Sequence, residues 1–169
     1  IAVQNNLEQI VKMLIDANAC IDVQDCNGMT PLLLSMENRN KELMSHLLAK
    51  NASVNLKNKA GMTPLMYATR WNDMSTVSTL LAARASAEPT TERGENALAL
   101  AVKNRDIEMI EKLIATKVDV TAKSGACLLS LSMNFMTPSD MNIMDLLLHA
   151  KAPIDDQDRE GYTPLMWAM

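Results

Sequence analysis

Aromatic residues are scarce in this chain, with two tryptophans, two tyrosines and one phenylalanine among 169 residues. A core of stacked rings is excluded, so leucine, methionine and alanine must fill the interior. Excess positive charge is also missing. The net charge is −4, which argues against nucleic acid as a partner, because a nucleic-acid face carries clustered lysine and arginine. No apolar run approaches the ~20 residues of a membrane helix, so no membrane insertion by this segment is expected, and no signal peptide is visible. The three cysteines, Cys20, Cys26 and Cys127, are odd in number and read as reduced thiols, which points to an intracellular and specifically cytoplasmic protein. Only two histidines are present, His46 and His149, too far apart in the chain to suggest a base beside its nucleophile. Asp155-Asp156-Gln157-Asp158 lacks the glycine and distal glutamate of a calcium loop. The residue list therefore supplies no catalytic group, no metal site and no cofactor site, and the chain is not expected to be an enzyme.

Glycine is rare too, and its placement is the main positive signal. The five glycines all fall in one recurring phrase: Gly28 in GMTPL, Gly61 in GMTPL, Gly94 in GENAL, Gly125 in GACLL and Gly161 in GYTPL. Their separations of 33, 33, 31 and 36 residues describe a tandem array with a period near 33. Superposing the phrases aligns Leu32, Leu65 and Leu98, then Ser35, Ala68 and Ala101. It also aligns the apolar sets Leu43/Met44/Leu47/Leu48, Thr76/Val77/Leu80/Leu81 and Met109/Ile110/Leu113/Ile114. Each set is spaced i, i+1, i+4, i+5, one face of a helix. Thr30-Pro31, Thr63-Pro64 and Thr163-Pro164 announce an earlier helix in each unit, with a capping hydroxyl followed by a proline suited to the first helical position. The pattern predicts two short helices per unit. In the fourth unit, placing Leu129 on Leu98 requires a finger two residues shorter before Gly125 and a turn three residues longer around 135–139. An alternative that puts Cys127 at the glycine position needs one insertion and leaves Asn134 where a small apolar residue is expected.

On these residues the chain resembles the ankyrin repeat family, whose pattern is G-x-T-P-L-H-x-A followed by a second helix and an exit close to Asn51-Ala52-Ser53-Val54-Asn55. The resemblance implies an all-α repeat solenoid of stacked helix-turn-helix units with projecting β-hairpin fingers. It divides the single domain 1–169 into a partial repeat 1–27, repeats 28–60, 61–93, 94–124 and 125–160, and a truncated repeat 161–169, a window on a longer array whose ends fray. The family's histidine is replaced by Leu33, Met66, Ala99, Ser130 and Met166. Its glycines after the helices are replaced by Asn6, Asn18, Arg39, Asn51, Asn72, Arg84, Arg105, Lys117 and Lys151. Keeping a left-handed backbone at the arginines and lysines would cost roughly 1 kcal/mol each.

In this family the recognition surface combines fingertips with the exposed tail of each first helix. Carried over by position, it comprises Met29, Glu37 and Asn38; Lys59, Met62, Arg70 and Trp71; Arg93, Glu95, Lys103 and Asn104; and Phe135, Arg159 and Tyr162. Met66 and Met166 fall beside it, as flexible thioethers that serve cores and adaptable surfaces alike. Trp71 is either an outward anchor or a ring folded over the helix turn onto a neighbour. Because some members are hydroxylated on a finger asparagine, Asn55 is a modification candidate; Asp22, Glu88, Thr121 and Asp155 hold the matching positions. The implied function is a non-catalytic protein–protein interaction module, a scaffold or adaptor whose segment is monomeric and which binds a partner protein through its fingers and concave inner-helix face. The alternative is the substrate-targeting or autoinhibitory arm of a larger enzyme or channel.

Overall fold

The computed structural model describes residues 8–116, 118, 120, 127–133 and 138–169. Its helices are α1 (Glu8–Asp16), α2 (Pro31–Glu37), α3 (Lys41–Ala49), α4 (Pro64–Arg70), α5 (Met74–Ala82), α6 (Ala97–Asn104), α7 (Ile107–Ala115), α8 (Leu128–Ser132), α9 (Pro138–His149) and α10 (Pro164–Trp167). Among the described residues there is no strand. The expected fingers are present as hydrogen-bonded turns, because each is closed by its own backbone pair and a side chain rather than by a ladder. The chain divides into two units, one made of residues 1–68 and 75–86, the other of residues 69–74 and 87–169.

The first helices start where the threonine-proline phrase predicts. Thr30 Oγ1 accepts from the Leu33 amide at 3.1 Å and Thr63 Oγ1 from Met66 at 3.3 Å. Asn96 takes the threonine's place with a 2.9 Å bond from Ala99. The second helices are capped in the same way by Asn40 and Asp106, which accept from Leu43 and Met109. Cys127 precedes α8 and makes no capping bond from its side chain. Each satisfied amide here would otherwise be an orphan donor at the helix start, worth about 1 kcal/mol when capped.

Helix exits are equally uniform. Asn18, Arg39, Asn51, Asn72, Arg84, Arg105 and Lys151 all have positive φ, between 54° and 65°. The chain keeps the family's turn without its glycines. At α2, the Arg39 amide returns to Met36 O and the Asn40 amide to Ser35 O, both at 2.9 Å. The same two closing bonds recur after α3, α5 and α9, through Asn51 and Ala52, Arg84 and Ala85, and Lys151 and Ala152. This is the Schellman closure, in which a left-handed residue lets two late amides reach back to otherwise unpaired carbonyls. The alanine that follows is buried in all three cases, giving the apolar contact that accompanies such a closure.

The exits at Arg39 and Arg105 fold α2 back on α3 and α6 on α7, and α8 packs on α9. Leu32, Leu65 and Leu98 are fully buried, as are Leu43, Leu47, Val77, Leu80, Ile110 and Leu113. Truncating such a leucine to alanine costs about 2–5 kcal/mol. Ser35 and Ser132 sit among these apolar residues and hide their hydroxyls by donating to Leu32 O and Leu129 O, each at 2.7 Å. Leu165 opens the last phrase in the same register but is 71% exposed. It lies on α10, which contacts α8.

The left-handed exits make a direct prediction. Arg84 and Lys151 are exposed, with φ of 64° and 65°. Replacing either with glycine removes the Cβ penalty, partly offset by greater unfolded-state entropy, so each variant should gain about 0.5–1 kcal/mol. Urea unfolding should show a raised midpoint at unchanged slope; a lowered midpoint would mean the side chain contributes more than the strain costs.

Candidate partner-binding site

Each of the four described fingers is locked by one polar residue three positions before its glycine. Asp25 Oδ1 accepts from the Asn27 and Met29 amides at 2.8 Å. Asn58 Oδ1 accepts from Met62, Thr91 Oγ1 from Glu95, and Asp158 Oδ1 from Glu160 and Tyr162. Backbone bonds close the same turns, and their glycines have φ of 69° to 86°. Gly28 is additionally required by space, since a Cβ there would lie 3.0 Å from the Lys59 amide. That approach lets Lys59 N donate to Asn27 O at 2.9 Å, joining one finger to the next.

In two repeats the locking residue also reaches an aromatic ring nine residues later. Asn58 Nδ2 donates to Tyr67 Oη at 3.3 Å, and the Trp167 indole Nε1 donates to Asp158 Oδ2 at 2.8 Å. One slot therefore ties the finger to its first helix with either polarity. Trp167 is 46% exposed and packs against Tyr162, with ring centroids 5.6 Å apart. Burial pushes the Asp158 carboxyl up, but the bonds from Trp167, Tyr162, Glu160 and Gly161 outweigh it and hold the carboxyl below the ordinary 3.8.

The expected contact residues fall into different environments. Glu37, Asn38, Lys59, Arg70, Arg93, Lys103, Asn104 and Arg159 are exposed, while Met62, Glu95 and Trp71 are half-buried. Met29 is corrected: it is only 7% exposed, because the following finger covers it and places Asn58 Nδ2 3.5 Å from its sulfur. Met66 is fully buried, whereas Met166 is exposed. Phe135 lies outside the described residues. Asn104 spends its amide on the end of α4, donating to Thr69 O at 2.7 Å. Asn55 is exposed and works between repeats, accepting from the Ser86 amide at 2.8 Å. Asp22 makes the matching bond, accepting from the Ser53 amide at 2.9 Å, so in these two repeats the finger position serves a structural role with either residue.

Four expected contact residues, Arg93, Glu95, Lys103 and Arg159, meet at one cleft of about 320 Å³ within the second unit. Lys103 pairs with Glu95, and the Arg159 guanidinium donates to the Arg93 carbonyl. Cys127 and Glu160 also line it, and so do four more residues, Ser130, Leu131, Asp158 and Trp167. None of these four was picked out as a contact from the sequence. The available signal was the phrase itself, because Leu131 and Trp167 occupy the slot that Tyr67 fills in its own repeat.

The family description for ankyrin repeats in three copies matches residues 1–92 and 57–124. This chain belongs to the ankyrin repeat family. It is similar to the crystal structure of an ankyrin repeat domain from Acinetobacter baumannii AYE, at 27% identity and a TM-score of 0.84, covering 99% of this chain and 87% of that one. No curated protein matches the chain. The ankyrin fold accounts for the helical repeat order of the described residues. Ankyrin repeats are generally protein–protein interaction modules. Among the described residues no group of three or more His, Cys, Asp or Glu could hold a metal ion, and no helix is long and apolar enough to cross a membrane.

The Asp158 staple should be visible in acid. A carboxyl depressed by folding contributes stability that is present above its unfolded value and is lost as pH falls through the lower folded value, so the window lies below the ordinary 3.8. In a Trp71→Phe background, Trp167 emission should shift to the red in that window. Asp158→Asn, which keeps an oxygen for the finger amides but offers the indole a donor, should already show the shift at neutral pH. Identical emission in the two proteins at neutral pH would mean that the indole bond does not hold the ring.

Proposed function

We propose that this ankyrin domain is a non-catalytic scaffold or adaptor that grips a partner protein through its finger tips and the exposed ends of its first helices. The observation carrying this reading is the locking of the finger turns. In each of four fingers one side chain and two backbone bonds fix the turn, so Lys59, Arg93, Arg159 and Tyr162 are offered on a backbone that is already ordered. A pre-ordered surface avoids much of the entropy cost of binding, about 0.5–1.5 kcal/mol per immobilised side chain. Glu37, Asn38, Arg70 and Trp71 form the helix-end part of the proposed surface, with Trp71 as its aromatic anchor; Phe135 belongs to it by position. Asn55 is the modification candidate within this surface.

Site-specific photo-cross-linking tests the proposal. A photoreactive residue at Lys59 or Arg159 should capture the same partner from cell extract, while one at Glu111, exposed on α7, should not. Capture from Glu111 alone would place the interface on the second helices. With the partner purified, Trp71→Ala should weaken binding about thirtyfold, as expected for an aromatic anchor worth about 2 kcal/mol. Because Trp71 is half-buried, the variant should also unfold at a lower temperature, so affinity is compared where both proteins are folded. Unchanged affinity there would remove Trp71 from the interface.

A further inference from the structure

The cleft of the second unit has an uneven balance of used and unused polar groups. Its acidic walls are largely occupied: Glu95 pairs with Lys103, and Asp158 serves the Trp167 indole and two finger amides. Its donors are not. Arg159 spends one N–H on the Arg93 carbonyl, leaving most of the five donors of a guanidinium. The Arg93 guanidinium has no partner among the described residues. Ser130 Oγ, on a residue only 7% exposed, is buried with no hydrogen-bond partner among the described residues. A buried hydroxyl left unpaired is costly, and Ser130 is one of the residues that line the cleft.

We infer that this cleft receives a single carboxylate side chain, aspartate or glutamate, from an extended segment of the partner, with an adjacent apolar residue of that segment against Trp167 and Leu131. The inference rests on the protein-binding reading above and names the chemistry of one contact within it. The carboxylate accepts from Arg93, Arg159 and the Ser130 hydroxyl, bonds that are stronger for being charge-assisted. Glu160 lines the cleft too and is exposed, so it repels further acidic residues and selects one carboxylate rather than an acidic run. Trp167 is held ready by Asp158, which lowers the cost of ordering it on binding. The volume, about 320 Å³, is at the small end of ligand sites and suits one or two side chains.

The test is an NMR titration of the whole 169-residue chain with three blocked tripeptides, N-acetyl-Leu-Asp-Leu-amide and its Asn and Lys counterparts. The aspartyl peptide should move the Trp167 indole and Ser130 amide resonances, bind at least tenfold more tightly than the asparaginyl peptide, and outcompete the lysyl peptide entirely. Ser130→Ala and Arg93→Gln should each weaken the aspartyl peptide at least fivefold and leave the asparaginyl peptide unchanged. Arg93 is an exposed finger residue, so its variant reports on binding even if Ser130→Ala perturbs α8. Equal affinity for the aspartyl and lysyl peptides, or no response at Trp167 and Ser130, overturns the inference. If cross-linking from Lys59 and Arg159 captures a partner while the cleft ignores the aspartyl peptide, only this contact fails and the interaction module stands.

Discussion

The chain is built from short helices, most of them seven to nine residues long, and must reverse direction within a few residues of their ends; at most of these ends it does so through a left-handed backbone residue. Seven of these among the described residues are asparagine, arginine or lysine, not glycine. At roughly 1 kcal/mol for each arginine or lysine, the arrangement persists because each closure returns two amides to late helix carbonyls and, at three exits, seats a buried alanine beside the helix end. The folding back of α2 on α3 and of α6 on α7 follows from the closures at Arg39 and Arg105. So does the burial of the leucines between them, worth several times the strain. A different conformation at the exits would leave the apolar face of every helix without its partner.

The reversal also fixes where the fingers stand, and there the repeat uses one set of slots for both structure and recognition. In the four described fingers the position three before the glycine locks the turn, whether it is aspartate, asparagine or threonine. The slot nine residues later turns that lock into a tether when it holds a ring, with asparagine donating to Tyr67 and aspartate accepting from Trp167. Asp22 and Asn55 likewise hold the next repeat with the same bond from different side chains. Surface chemistry can vary only in positions that these bonds leave unspent. In the second unit those are the arginines of the fingers, the Ser130 hydroxyl and the face of Trp167.

Much of this was legible in the sequence because it is local or strictly periodic. The phrase around Gly28 and Gly61 gave the helix starts, the missing glycines at Arg39, Arg84, Arg105 and Lys151 marked the left-handed exits, and the period placed Leu32, Leu65 and Leu98 in the core. What stayed hidden depends on contacts across a repeat. Met29 carries the same label as the half-buried Met62, yet it is covered because the next finger lies over it. Leu165 stands in the same register as Leu32 and is exposed. The cleft arises from three separate stretches, around 93–103, 130–131 and 158–167, and no spacing rule joins them. Trp167 was legible only as a member of a phrase, while its tether to Asp158 follows from the folded path of the finger.

The left-handed exits carry the whole account, and φ at those residues can be measured directly. One-bond Cα–Hα couplings and Cα shifts in solution distinguish positive from negative φ residue by residue. The account predicts positive φ at Asn18, Arg39, Asn51, Asn72, Arg84, Arg105 and Lys151 alike, with the Asn40, Ala52, Ala85 and Ala152 amides protected from exchange by their return bonds. Negative φ at the arginines and the lysine, with those four amides exchanging freely, would contradict it.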